Sequence, residues 1–117
     1  MFIVDGNTIT LSRGDTGALE ISAEGYNFGE NDRALFSVKA GNGTLVKQRA
    51  YQMTNNSFTV TFFNSDTDLL TPGGYTWDVR YVINPYYDDA GNIVDGDQVL
   101  TPNNPMTMNL LTVVGDI

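Results

Sequence analysis

Tyr75-Thr76-Trp77-Asp78-Val79-Arg80-Tyr81-Val82-Ile83 decides the fold. Tyr75, Trp77, Val79, Tyr81 and Ile83 alternate with Thr76, Asp78 and Arg80. A strand turns successive side chains to opposite faces, so one face here carries rings and branched chains and the other carries polar groups. At the helical period the same residues would be spread around the axis and no face would be apolar. The segment therefore reads as a strand whose rings fill the space between two layers, with Trp77, Tyr75 and Tyr81 anchoring the core. Alanine in place of a buried tryptophan costs about 3–5 kcal/mol.

Working outward, the same period-two pattern recurs between turns. Phe2–Val4 and Thr8–Leu11 are joined by Asp5-Gly6-Asn7, a hairpin signal because glycine accepts positive φ. Ala18–Ala23 puts Leu19, Ile21 and Ala23 on one face and Ala18, Glu20 and Ser22 on the other. Ala34–Ala40 turns Phe36 and Val38 inward and meets Thr44–Arg49 through Gly41-Asn42-Gly43. Ser57–Phe63 alternates Phe58, Val60 and Phe62 with Ser57, Thr59 and Thr61. Asn64–Leu70 reads as one helical turn, capped by Asn64 or Ser65 and stopped by Thr71-Pro72-Gly73-Gly74. A polar hairpin or loop is expected over Asn84–Thr101, with turns at Asp88–Asn92 and at Asp95-Gly96-Asp97. Pro102 and Pro105 bound a last strand, Met106–Val114. No stretch of helical length shows the 3.6-residue period. The expected architecture is all-β: one immunoglobulin-like antiparallel β-sandwich of about eight strands, a single domain over residues 1–117.

Composition agrees and narrows the function classes. Only 17% of the 117 residues are charged, whereas exposed helix faces are usually rich in Glu, Lys and Arg. Fourteen acidic against six basic residues give a net charge of −8. That field repels a polyanion, and Arg13, Arg33, Lys39, Lys47, Arg49 and Arg80 are scattered, so no nucleic-acid partner is expected. No apolar stretch approaches the ~20 residues needed to span a bilayer, and Met1–Gly6 lacks a basic signal-peptide start, so neither membrane insertion nor export is expected.

With no His and no Cys, the nucleophilic triads and the usual zinc sites are excluded. A pair of carboxylates remains open to glycosidase-type chemistry, but the acids fall mostly in turns, where Asp bonds its own backbone. No enzyme and no cofactor are expected. Asp88, Asp89, Asn92, Asp95 and Asp97 supply oxygens of the kind calcium takes, yet not at the spacing of a calcium loop. Arg13-Gly14-Asp15 is an adhesion-type tripeptide and also an ordinary turn. Asn42-Gly43-Thr44 and Asn55-Asn56-Ser57 match the glycosylation pattern, but without a signal peptide they are expected to be chance matches in an Asn-rich chain. Tyr86 and Tyr87, after Pro85, stand in the polar loop rather than in a core pattern and are the candidate partner contacts, aromatics being enriched at binding hot spots.

Three stretches together carry a resemblance. They are Thr10-Leu11-Ser12-Arg13-Gly14-Asp15-Thr16, then Phe58-Thr59-Val60 with the Asp66-Thr67-Asp68-Leu69-Leu70 turn, then Pro72-Gly73-Gly74-Tyr75-Thr76-Trp77-Asp78-Val79-Arg80. The set resembles small immunoglobulin-like domains from phages and prophages of Gram-positive hosts, similar to the N-terminal domain of upper baseplate proteins. It covers the chain from about Thr8 to Val114, with a longer Asn84–Asn104 region and a different last strand. The resemblance implies a non-enzymatic tail or baseplate module acting through protein–protein contacts. Its partners would be other tail or baseplate proteins or further copies of itself. Its location would be the virion tail after assembly in the bacterial cytoplasm. The alternative is a carbohydrate-binding or surface-adhesion sandwich module, in which Tyr75, Trp77, Tyr86 or Tyr87 would stack on sugar rings.

Overall fold

The computed structural model describes residues 1–101 and 105–112. Nine strands run in chain order: β1 (Phe2–Asp5), β2 (Thr8–Ser12), β3 (Gly17–Ser22), β4 (Arg33–Ala40), β5 (Leu45–Gln52), β6 (Ser57–Phe62), β7 (Gly73–Tyr87), β8 (Ile93–Leu100) and β9 (Met106–Leu111). A single helical turn, α1 (Asn64–Thr67), lies between β6 and β7. The larger sheet has the order β1-β2-β9-β7-β4-β5, with β8 also pairing β7, and the smaller sheet is β3-β6. This is the expected all-β sandwich, with two differences. There are nine strands among the described residues, and the larger sheet is mixed, because β2 runs parallel to β9 from Ile9↔Met108 to Ser12↔Leu111. Strand direction leaves no mark on an alternation pattern, so sequence could not separate the two cases. Pro102 and the last residues of the expected Met106–Val114 strand lie outside the described residues.

The inward faces make one core. Ile9 and Leu11 of β2, Phe36 and Val38 of β4, Phe58, Val60 and Phe62 of β6, Trp77, Val79 and Tyr81 of β7, and Met108 and Leu110 of β9 are all buried together. Trp77 is 5% exposed, packs its ring 5.5 Å from that of Phe36, and donates its indole N–H to the Asn7 carbonyl at 3.1 Å. The inward face of β7 holds through Tyr81, but on the other face Asp78 is buried rather than exposed, with Lys39 at 4.0 Å.

The turns follow local chemistry. Asn55 and Asn56, at φ 50 and 60, form the two-residue turn into β6, and Asn42 accepts the Thr44 amide across the β4–β5 turn. At α1 the capping differs from expectation. Phe63 is the N-cap, the buried Asp66 carboxylate reaches back to its amide at 2.8 Å, and Asn64 instead donates to the Gly14 carbonyl. Asp66 also receives Arg49 of β5 at 2.9 Å, while another nitrogen of that guanidinium donates to Thr61 O of β6 at 2.8 Å. These bonds fasten β5 to β6 and close the sandwich along one side.

Candidate functional site

The opposite side of the sandwich is open. β3 pairs with β6 along one edge, from Gly17↔Phe62 to Ser22↔Ser57, and among the described residues no strand pairs with the other edge. In an immunoglobulin sandwich the first strand ordinarily lies beside the second, in the same sheet. Here both β1 and β2 pair in the larger sheet instead, and no strand among the described residues takes the place beside β3.

What fills that place is a groove of about 380 Å³ between the β3 edge and the larger sheet. Leu19 and Ile21 form one wall, Trp77, Val79 and Tyr81 the floor, and Leu100 and Met106 the far side. The Phe2 ring, 5.5 Å from that of Phe62, occupies the space where a side chain at Gly17 would stand, at the start of β3. Phe28, stacked 5.0 Å from Tyr81 and 4.9 Å from Tyr26, lines the groove. Leu19 and Ile21 face inward but remain half-buried, since no strand among the described residues covers them from this side. Glu20 and Glu24 stand at the groove, and no Lys or Arg lines it.

Backbone direction at the edge follows from one bond. The Ala23 amide donates to Asn56 O, on the β6 side, at 2.8 Å. Alternation then turns the N–H and C=O groups of Ala18, Glu20 and Ser22 outward from the free edge. Their side chains are exposed, so the edge offers hydrogen-bonding groups to solvent next to an apolar floor.

The expected contacts Tyr86 and Tyr87 lie elsewhere. They are on a strand rather than in a loop, since β7 continues to Tyr87 and pairs with β8 from Tyr81↔Leu100 to Tyr87↔Ile93. Beyond Arg33↔Val82, where β4 ends, β7 and β8 run on as a two-stranded arm. Tyr86 and Tyr87 are 48% and 51% exposed on it, with Val94 and Val99 also exposed. The Tyr86 hydroxyl donates to Asp97, and Asn84 Nδ2 donates to the same carboxylate at 2.8 Å. These two bonds, Tyr86 first, hold Asp97 below the usual carboxylate range. Chiefly through its bond to Asp97, Tyr86 is pushed above the usual phenol range.

Asp88, Asp95 and Asp97 of the acidic cluster shape the arm. Asp88 accepts the amides of Ala90 and Asn92 at 3.0 and 2.9 Å, and Asp95 accepts that of Gly96 at 2.8 Å. Asp95-Gly96-Asp97 is a correction: it is mid-strand in β8, not a turn. Among the described residues no three acidic side chains come together as a metal site would need. Arg13-Gly14-Asp15 is tied down rather than presented, its Gly14 amide donating to Thr67 Oγ1 at 2.8 Å and its Gly14 carbonyl accepting from Asn64.

The groove went unseen in the sequence. The alternation of Leu19, Ile21 and Ala23 marks an inward face, but the neighbour that fails to cover it is a matter of strand order. No protein-family model, no curated protein and no solved structure matches the chain.

Proposed function

We propose that the chain is a non-enzymatic structural module of a phage or prophage tail or baseplate, acting through protein–protein contacts. The observation that carries the contact reading is the open side of the sandwich, where unpaired backbone groups flank an apolar floor. Such an edge is completed by another chain's strand. The tail and baseplate setting is supported by the resemblance carried by Thr10–Thr16 and Pro72–Arg80. The negative charge keeps the free subunit apart from its copies before assembly. The carbohydrate alternative is weakened by the burial of Trp77, which leaves Tyr86 and Tyr87 as the exposed pair for sugar stacking.

The test is composition of particles. Tails purified after induction of the host that encodes the chain are expected to contain it in fixed ratio to a major tail protein by quantitative mass spectrometry. Particles from which the chain washes away, or in which it is not found, overturn the reading.

A further inference from the structure

Resting on the contact reading above, we infer that the groove beside β3 is the seat of one extended strand from a different protein, apolar at alternate positions and basic between them. The strand adds to the free edge of β3 and takes the place that neither β1 nor β2 fills.

Each part of that description comes from the site. Extension is demanded by the outward N–H and C=O groups of Ala18, Glu20 and Ser22, which only another backbone at strand spacing satisfies in register. Apolar residues at alternate positions are demanded by Leu19, Ile21, Leu100 and Met106, which line the groove partly buried beside the buried Trp77, Val79 and Tyr81. Length is bounded by the Phe2 ring at Gly17 and by the Phe28 ring, which leave β3 from Ala18 to Ala23 as the seat. Basic residues between the apolar ones are demanded by Glu20, whose side chain lies on the outer face beside the incoming strand, with Glu24 nearby and no Lys or Arg lining the groove. Opposite charges directly across a strand pair attract and like charges repel. The same argument disfavours a second copy as the occupant, since the chain carries fourteen acids against six bases.

The probe is an octapeptide alternating lysine and valine, compared with one alternating glutamate and valine. Binding is followed by emission of Trp77, the single tryptophan, and by amide exchange at Ala18, Glu20 and Ser22. The lysine peptide is expected to saturate, to shift the emission and to protect those three amides. Glu20→Pro removes one outward N–H at an edge position where proline is tolerated, so circular dichroism should be unchanged and affinity should fall at least about tenfold. Glu20→Lys should reverse the preference in favour of the glutamate peptide. The inference is overturned by no saturable change up to about 1 mM lysine peptide. It is equally overturned by equal binding of both peptides, or by undiminished binding to folded Glu20→Pro. Tail particles that take up Glu20→Pro as well as wild type would remove the groove from assembly and leave the tail reading standing. Particles lacking the wild-type chain would remove the tail reading, and the peptide titration would still decide the groove.

Discussion

Asp32 shows how much one buried side chain can position. It is 7% exposed, and its two oxygens accept the amides of Gly29 at 2.7 Å and Asn84 at 3.0 Å. The first bond fixes the loop before β4, and the second pins the base of the β7–β8 arm, where Asn84 adopts φ 50. Asp32→Ala leaves two inward-facing donors without partners and should cost about 2–4 kcal/mol, read from the urea midpoint; Asp32→Asn, which keeps one acceptor, should cost less. Higher on the arm, the Asp97 bonds make a pH-dependent contact. Because its folded value is depressed, its contribution is present above the ordinary carboxylate range and lost as pH falls through the lower folded value. Tyr86 has the opposite sign, its contribution being lost as pH rises through its raised value. Carbon-detected NMR titration should find Asp97 below the usual range in the wild type and closer to it in Tyr86→Phe. None of this was legible beforehand, since a carboxylate in a polar stretch looks alike whether it caps a turn or bridges two strands.

At the scale of elements, alternation and turn residues located most strands, and the errors share one cause. Asp95-Gly96-Asp97 reads as a turn because Gly between two Asp usually makes one, yet Gly96 sits in β8 opposite Pro85. Its role is close approach: a Cβ there would stand 2.5 Å from Val82 Cγ1 and 2.8 Å from the Ile83 carbonyl oxygen. Gly96→Val should therefore pry β8 from β7 while sparing the sandwich, visible as faster amide exchange in the arm with the β4–β7 pairing still protected. Tyr86 and Tyr87 lie on a strand rather than in a loop for a related reason. Pro85 tends to exclude a central strand, but β7 is an edge-bounded ribbon there, where proline is tolerated. The β5–β6 fastening makes a further prediction. Arg49→Met keeps the aliphatic stem but strips the buried Asp66 of its cation and Thr61 O of its donor, so the thermal midpoint should fall, by an amount corresponding to about 1–3 kcal/mol.

The whole molecule is longer than its mass suggests. Its radius of gyration is 14.8 Å, with extents of 49 × 30 × 22 Å, whereas about 13 Å is usual for a compact chain of similar length. Among the described residues the β3 edge leaves backbone groups unpaired beside the half-buried Leu19 and Ile21, a combination that monomeric proteins normally cover. Fold class was legible because periodicity is local. Strand order, the parallel pair and the unpaired β3 edge were not, because each depends on which distant segment lies alongside. Trp77→Ala bears on the floor and the core at once: it should cost about 3–5 kcal/mol, measured by chemical denaturation.

The parallel pairing of β2 with β9 has a mechanical consequence. If a neighbour tugs on the chain before β2 while another holds the chain after β9, the two strands are dragged past each other lengthwise. The bonds between Ile9–Ser12 and Met108–Leu111 are evenly spaced along that direction, so they share the load and must fail together. The β1–β2 hairpin, loaded crosswise, peels away one bond at a time and gives first. Under tension the domain thus yields a short tether and then resists.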